Sequence, residues 1–586
     1  MAVLVSLAAY VAVPQVARRI PQCEPSFSSE VLPGVDALTR QSLNVLADPK
    51  GTSPSGILFL GLCAVLFSIY FVVLRISAGP QSARVTALLL GAGGLFLLVL
   101  AVAPILLSSD VYFYGLYGRM LSVYDVSPYG AGIPFPKSDP FAEFLGGRYL
   151  ASWYGPLWTL ICAVVTRFTG EHLGITVLTF RLIGVTAALA TAGLIWHCLR
   201  RMDPARATQG VVFFLWNPLV IMETGLSAHN DVVMMFFVVL AIAFHLRGWK
   251  SAAVVALTLS ALVKFLTGML IPLYICFVLR ECRSWGSRLR FLSVGGCLGA
   301  LVAWTMFMGA RANESLPAGR AATSPEFYLN NFHELIFKGL RRALGEDDFT
   351  LRRPIYFQGW WLSAKSATEI RELDPTRPNR VLAPGSYVLV IAPQATTEAR
   401  VYDPVQKTIG FVDSTKFQFS KRPPNLAEDA ERARWESPIA KWPTAITANA
   451  WIRVVTWLGF ALFGLLAAWR TTAISEFVVW SAAALLASYY FIITEIWPWY
   501  ANWAVTLGAL APSRLPARFA MILSAAVLTL YVTISFEGSS PAWVFDLRSL
   551  PAFVLPLFIF LIVTSRRFYA SWTSRNSPNV SAISGS

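Results

Sequence analysis

Charge is what this chain has least of: only 14% of its 586 residues are Asp, Glu, Lys or Arg, 55% are hydrophobic, and the mean hydropathy is +0.56. A water-soluble protein of this length needs a far more charged surface, so the balance excludes a soluble enzyme and indicates a polytopic membrane protein. Histidine is scarce, with five in all, and the seven cysteines (Cys23, Cys63, Cys162, Cys198, Cys276, Cys282 and Cys297) never stand in C-x-x-C spacing. That excludes a cysteine zinc site and a disulfide framework, and leaves the cysteines as small apolar side chains. Solenoid-type repeats and low-complexity tracts are also missing. The net charge of +15 is not gathered into one patch. Its lysines and arginines are scattered between apolar segments, which speaks for the lipid bilayer as partner and against nucleic acid.

What is present is a series of thirteen apolar runs, at 55–75, 85–107, 173–198, 210–224, 229–246, 251–266, 268–279, 290–309, 450–469, 475–494, 499–512, 518–535 and 547–565. The opening "MAVLVSLAAYVAVPQVARRI" adds a short or amphipathic first helix, with no charged lead-in or small-residue cleavage site of a signal peptide. The expected fold is an all-α polytopic membrane protein of about 13–14 transmembrane helices. Orientation follows from the basic loops: Arg75 and Arg84, then Arg200, Arg201 and Arg206, Arg247 and Lys250, Arg280 to Arg290, Arg470, Arg514 and Arg518, and Arg566 to Arg575 recur at alternate connections. These would be cytoplasmic. The parity requires that 153–168, "WYGPLWTLICAVVTRF", does not cross, so it is read as a re-entrant or half-buried helix on the outer side.

The chain thus divides into an amino-terminal segment 1–54, a membrane core 55–310 with a first outer loop 108–172, an outer insertion 311–447, and carboxy-terminal membrane helices with a cytoplasmic tail, 448–586. Within the insertion, about 355–420 alternates short apolar and polar positions, with turns at Ala383-Pro384-Gly385 and Asp403-Pro404. It predicts a small extracytoplasmic β domain of SH3-like size.

Polar clusters collect at the outer ends of the runs. The first is "LLSSDVYFYGLYGRMLSVYDVSPYG", where Asp110 is followed by Tyr112, Tyr114, Tyr117, Arg119, Tyr124 and Tyr129. An acid at a membrane exit is costly unless it faces a wet cleft, although capping of the next helix would also account for it. The second is "ETGLSAHND", with Glu223, His229, Asn230 and Asp231; for Asp231 too, capping is the simple alternative. Lys264 lies near the outer end of an apolar helix, either snorkelling or facing a cleft. "TEIWPWYANW" supplies Glu495, Trp497, Trp499, Tyr500 and Trp503, either as an interfacial anchor or as faces for a sugar ring or prenyl chain.

The string "SSDVYFYGLYGRMLSVYDVSPYG" resembles the first outer loop of the GT-C superfamily of polyprenyl-phosphate-sugar-dependent glycosyltransferases, most nearly the bacterial alpha-1,6-mannopyranosyltransferase group. The likeness continues in family order through "SWYGPLWTLI", "RLIGVTAALAT", "WNPLVIMETGLSAHNDVVMM", "LSALVKFLTGMLIPL" and "WPWYANWAV". It departs at Ser127, where the family pattern has Asn or Asp, and in the inserted β domain.

The resemblance implies a GT-C-like fold and an integral-membrane hexosyltransferase that moves a sugar, mannose first, from a polyprenyl phosphate to an extracytoplasmic glycan or glycolipid with inversion. It implies Asp110 as the catalytic base. Arg119, His229 and Lys264 would serve the donor phosphate, with Asn230, Asp231, Tyr112, Tyr114 and Tyr129 as further donor contacts; Glu223, Glu495, Trp499 and Tyr500 are held as supporting residues. No cofactor is required; Asp110, His229 and Asp231 could hold a divalent ion, a reading ranked lower because a monophosphate donor does not oblige a metal. The plasma membrane of a bacterium is the expected location. The same enzyme class acting on another pentose or hexose is one alternative. A flippase or transporter of lipid-linked sugars is another, but it would carry charges at mid-membrane rather than at one face. A binding scaffold that recruits other proteins through its β insertion is the third class.

Overall fold

The computed structural model describes residues 1–17, 24–25, 52–129, 139–143, 152–312, 333, 336, 340, 343, 361–372, 376–393, 398–420, 444–493, 496–535 and 550–576. It is a bundle of helices with one antiparallel sheet inserted, as the sequence predicts. In chain order the helices are α1 (Ala2–Ala17), α2 (Thr52–Ile76), α3 (Ala83–Ala101), α4 (Asp110–Ser122), α5 (Pro156–Thr169), α6 (Leu173–Met202), α7 (Ala207–Leu215), α8 (Pro218–Ile221), α9 (Asp231–Leu246), α10 (Lys250–Val263), α11 (Leu270–Glu281) and α12 (Trp285–Gly309). After the insertion come α13 (Thr444–Arg470), α14 (Ile474–Phe491), α15 (Ala501–Ala509), α16 (Leu515–Ala526), α17 (Thr529–Ser535) and α18 (Leu550–Asn576).

Seven helices among the described residues are long and apolar enough to cross a membrane, or eight when the bent pair Pro218–Leu226 and Asp231–Leu246 counts as one span. The sequence reads more crossings because apolar run length does not register where a helix breaks. The runs at 210–224, 251–266, 268–279 and 499–512 fold as helices of 4 to 14 residues, interrupted by a π turn at Met222–Leu226 and 3-10 turns at Phe265–Met269 and Pro498–Tyr500. Non-helical backbone at membrane depth is tolerated only where protein or a wet cavity satisfies its polar groups. The expected short first helix is α1, 16 residues long, laid against α2 and α3. The segment read as non-crossing is α5; at 14 residues it spans about 21 Å, less than a straight crossing needs.

The basic ends of the helices converge. The Arg280 guanidinium, at the end of α11, donates to the Ala468, Trp469 and Thr471 carbonyls at the end of α13, Lys250 pairs with Glu281 at 2.8 Å, and Arg201 donates to Leu246 O at 3.1 Å. Arg201 and Arg280 stand in the last turns of α6 and α11, where cations are favoured, whereas Lys250 opens α10. Helix breaks lie at the other ends of α9, α10 and α11.

The insertion contains strands β3 (Trp361–Ala364), β4 (Thr368–Glu372), β5 (Arg380–Leu382), β6 (Tyr387–Pro393), β7 (Glu398–Asp403), β8 (Thr408–Asp413) and β9 (Phe417–Ser420); β1 (Glu24–Pro25) and β2 (Ile105–Leu106) pair separately in the membrane part. The seven strands form one sheet in the order β5-β4-β8-β7-β6-β3-β9. Leu362, Ile370, Val388, Val401, Val412 and Phe417 fill its core, and Arg380 ties the edge strand β5 to Glu372 on the adjacent β4 at 2.7 Å and to Asp403 at the end of β7 at 3.0 Å. The turns stand where predicted, the first with Gly385 at φ +83.

Candidate active site

Four chain segments bring their breaks to one place. After α3 the chain passes through β2 and turns at Ser108-Ser109 into α4, of which Asp110 is the first residue. Ser109 makes no capping hydrogen bond. The Asp110 carboxylate instead accepts from the Tyr154 hydroxyl at 2.9 Å on Oδ2, and the same oxygen lies 3.5 Å from His229 Nδ1. Tyr154 is delivered by the "WYGP" motif: Gly155 runs against the Leu262 backbone, where a Cβ would collide, and its N–H donates to Val263 O at 2.9 Å. The Tyr154 ring meets Tyr114 edge-on at 5.0 Å, and the Tyr114 hydroxyl accepts from the Asn230 N–H at 3.4 Å.

The second segment is the broken span. Asn217 caps α8 by accepting from Leu219 N–H at 3.0 Å, a π turn follows over Met222–Leu226, and the chain bends by 119° into α9. Ala228 makes that bend with φ +58, a left-handed conformation that costs a residue with a Cβ. The bend lets the His229 N–H donate to Glu223 O at 3.0 Å and places the two side chains together, with His229 Nε2 3.5 Å from Glu223 Oε2. Tyr531, on α17, donates to Glu223 at 2.8 and 3.0 Å, and the imidazole stacks on Trp499 at 3.7 Å with 19° between planes. Asp231, the first residue of α9, does not cap it. Its carboxylate takes Lys264 Nζ at 2.9 and 3.2 Å and the Trp503 indole N–H.

Lys264 is the third break. Its backbone is extended between α10 and the 3-10 turn at Phe265–Met269, and its ammonium sits over the Tyr500 ring at 4.4 Å and the Trp503 ring at 5.5 Å. The site therefore gives Lys264 a carboxylate and two aromatic faces rather than a snorkelling path. The fourth break, Pro498–Tyr500, carries Trp499 and Tyr500. Behind these segments the fully buried Arg181 of α6 donates to Ala101 O at 3.0 Å, Ala103 O at 2.6 Å and Leu226 O at 2.8 and 3.0 Å. One planar guanidinium thus joins the segment before Asp110 to the segment before His229.

Exposure separates these groups by role. The side chains of Glu223, His229 and Asp231 are at most 1% exposed, whereas Asp110 keeps 24% and Lys264 16%. An acid and an ammonium are the charged groups that an incoming molecule can touch. Burial pushes the Asp110 carboxyl above the ordinary carboxylate range; the nearby Asp231 adds to this, while the Tyr154 hydrogen bond and Lys264 oppose it. A carboxylate so placed is a better base than a free one.

The structure brings together Asp110, Tyr114, Glu223, His229, Asn230, Asp231, Lys264, Trp499 and Tyr500 from the sequence reading. It does not bring Arg119 there. That residue lies nine positions along α4 from Asp110, about 13 Å, and its fork is taken by Asp139 at 2.6 Å, Gly170 O at 2.9 Å and Glu171 at 3.5 Å. Tyr129 is spent on Tyr154 O at 3.0 Å and Thr159 at 2.8 Å, Tyr112 is buried in the core, and Ser127 donates to Arg311 O at 2.8 Å. Glu495 lies outside the described residues.

Sequence reasoning missed Tyr154, Arg181 and Tyr531. The first two stand inside motifs that carried the family resemblance, and an arginine inside an apolar helix is itself a signal; Tyr531 has none. Trp503, read from the sequence as an aromatic face, serves instead as a donor to Asp231. Among the described residues no three His, Cys, Asp or Glu side chains gather closely enough to hold a metal ion, Asp231 being turned to Lys264.

Residues 24–280 match the family model described as alpha-(1->6)-mannopyranosyltransferase, N-terminal domain, which bears out the resemblance read from the sequence. An alpha-(1->6)-mannopyranosyltransferase of Mycobacterium tuberculosis is 32% identical over 172 residues, which cover 27% of this chain and 27% of that protein. Alpha-(1->6)-mannopyranosyltransferase A of the same organism is 28% identical over 197 residues, 32% of this chain and 37% of that one. The matched stretches thus span about a quarter to a third of these relatives' lengths. A solved structure, the Saccharomyces cerevisiae protein O-mannosyltransferase Pmt1-Pmt2 complex bound to the sugar donor, aligns over 81% of this chain and 92% of its own at 12% identity, with a TM-score of 0.34. The family match contains Asp110, Tyr154, Arg181, Glu223, His229, Asp231 and Lys264; Trp499, Tyr500, Trp503 and Tyr531 lie beyond it.

Proposed function

We propose that the protein is an integral-membrane glycosyltransferase that moves one sugar, mannose in the first place, from a polyprenyl phosphate to an extracytoplasmic glycan or glycolipid, with inversion at the anomeric carbon. The observation that carries this reading is the pairing of a partly exposed carboxylate, Asp110, with a partly exposed ammonium, Lys264, at a point where four helix breaks converge. Tyr154 and His229 both address Oδ2 of Asp110, leaving Oδ1 for the acceptor hydroxyl. Oδ1 takes the hydroxyl proton as that oxygen attacks C1 from the face opposite the phosphate. The C1–O bond breaks toward the lipid phosphate, and Lys264 meets the charge that develops there. Tyr500 and Trp503 give the sugar or the first prenyl units a flat apolar wall. No metal ion is needed in this scheme.

The location is the plasma membrane of a bacterium, with the site on the outer side. The clustering of Arg201, Lys250, Arg280 and their partners at the opposite helix ends supports that orientation.

The decisive experiment gives purified protein in lipid a panel of radiolabelled polyprenyl-phosphate sugars and a mannan-type acceptor. Transfer from the mannose donor is expected, and Asp110→Asn should retain fold and donor binding while losing roughly 100-fold or more in turnover, the usual contribution of a general base. A wild-type protein that transfers nothing from the panel, or a fully active Asp110→Asn, would sink the reading.

A further inference from the structure

His229 has the contacts of an oriented imidazole rather than of a core filler. Its ring is clamped by Trp499, its Nδ1 faces Asp110 Oδ2 and its Nε2 faces Glu223 Oε2, each at 3.5 Å, and neither nitrogen makes a hydrogen bond of ordinary length in this state. A neutral imidazole has a single N–H, so only one of the two carboxyl groups can receive it, and the other must serve as donor to the remaining lone pair. Asp110 is the open member of the pair. Glu223 is closed off, and among the described residues no lysine or arginine pairs with it. The Tyr531 hydroxyl lies 2.8 Å from Oε1 and 3.0 Å from Oε2; its single proton serves the nearer Oε1, and Oε2 faces the imidazole at 3.5 Å. A carboxyl inside a span with no cation against it is suited to the protonated, donating form.

We propose that Glu223 is a positioning residue for sugar transfer: it donates from Oε2 to His229 Nε2 and so fixes the imidazole proton on Nδ1, where it is directed at Oδ2 of Asp110. The inference rests on the functional reading of Asp110 as base. Its consequence is that Asp110 is held by two donors on one oxygen, Tyr154 and His229, and cannot rotate its free oxygen away from the acceptor. The ordering is relayed in one direction, from α17 through Tyr531 to Glu223, to His229, and then to the base. Outer partners that orient metal-bound histidines contribute ~10- to 100-fold, and an effect of that order is expected of a partner that orients this imidazole.

Two measurements test it. Nitrogen-15 spectra of histidine-labelled protein, with the His229 signals identified by their loss in His229→Asn, are expected to show a protonated Nδ1 and an unprotonated Nε2. Glu223→Gln, whose amide still donates, should keep that tautomer, and Glu223→Ala should lose it. In kinetics, Glu223→Ala should lower kcat by about 10- to 100-fold with donor KM nearly unchanged, and Glu223→Gln should restore most of the loss. If Glu223→Ala does not fold, Tyr531→Phe, which frees the carboxyl from its anchor, takes its place with the same expected directions. A proton found on Nε2 in the wild type, a tautomer indifferent to residue 223, or a Glu223→Gln protein as impaired as Glu223→Ala would each overturn the proposal. The spectra do not depend on turnover, so a protein inactive with every donor would refute the functional reading while the tautomer still judged this one.

Discussion

At the residue scale the contacts of Asp110 meet on a single oxygen. Asp110 Oδ2 accepts from Tyr154 at 2.9 Å, and that bond is the nearest force favouring the charged carboxylate against the burial that disfavours it. In the role proposed for it Asp110 works only when ionised, so kcat/KM is expected to fall as pH drops through its raised pKa, with the acidic limb of the profile above the ordinary carboxylate range. Tyr154→Phe removes a bond to the charged form while leaving the burial, and should move that limb to higher pH. A limb that stays, or moves down, in the phenylalanine variant means that Tyr154 does not touch the titrating group. Asp110, Glu223, His229, Asp231 and Lys264 were legible from sequence because ionisable residues at the ends of apolar runs are too costly to be idle. Arg119 was equally conspicuous and lies elsewhere. An arginine advertises that it binds an anion, not which one, and Asp139, twenty residues on, supplies it.

Among the elements, the broken helices decide where these residues meet. Proline is visible before two of the breaks, at Pro218 and Pro498, but the π turn at Met222–Leu226 and the extended Lys264 follow from tertiary contacts that no local pattern records. Apolar periodicity therefore predicted the existence of most helices and overstated the number of bilayer-length crossings. The bend at Ala228 turns the chain by 119°. Its left-handed backbone holds ~1 to 3 kcal/mol of strain, offset by the Glu223–His229 backbone bond and the Arg181 fork on Leu226 O. Ala228→Gly should be neutral to stabilising, by up to ~2 kcal/mol, since relief of that strain equals or exceeds the ~0.5 to 1 kcal/mol lost to the added freedom of the unfolded chain. Ala228→Val, β-branched in a left-handed and buried position, should cost roughly 2 kcal/mol or more. Denaturant midpoints in detergent would decide; equal stability of the valine and glycine variants would show that the bend is not a strained one.

For the whole molecule, the acids and cations of the site come from the amino-terminal half and their aromatic holders from the carboxy-terminal one: Trp499 on His229, Trp503 on Asp231, Tyr500 beside Lys264, Tyr531 on Glu223. The parity of the arginines predicts that the insertion between the halves is extracytoplasmic. A cysteine at Ser414 should therefore react with a membrane-impermeant reagent in intact cells and one at Ser586 should not; the opposite pattern would move the site to the cytoplasm. The sheet of that insertion was legible in outline from its alternation and turns, but its role was not, because its polar residues are spent internally, Arg380 on Glu372, Asp403 and Thr408. No residue proposed for chemistry lies in it. If the sheet only selects or holds the acceptor, exchanging 355–420 for a short flexible linker should leave donor hydrolysis, or transfer to a small soluble acceptor, within severalfold of normal and reduce transfer to the polymeric acceptor much more. The exchange itself is mild, because loop-closure entropy changes by only ~0.6 kcal/mol per doubling of length, and the sheet has a core of its own in Leu362, Ile370, Val388, Val401, Val412 and Phe417. A folded deletion protein that neither binds donor nor reacts with any acceptor would show that the insertion completes the active site.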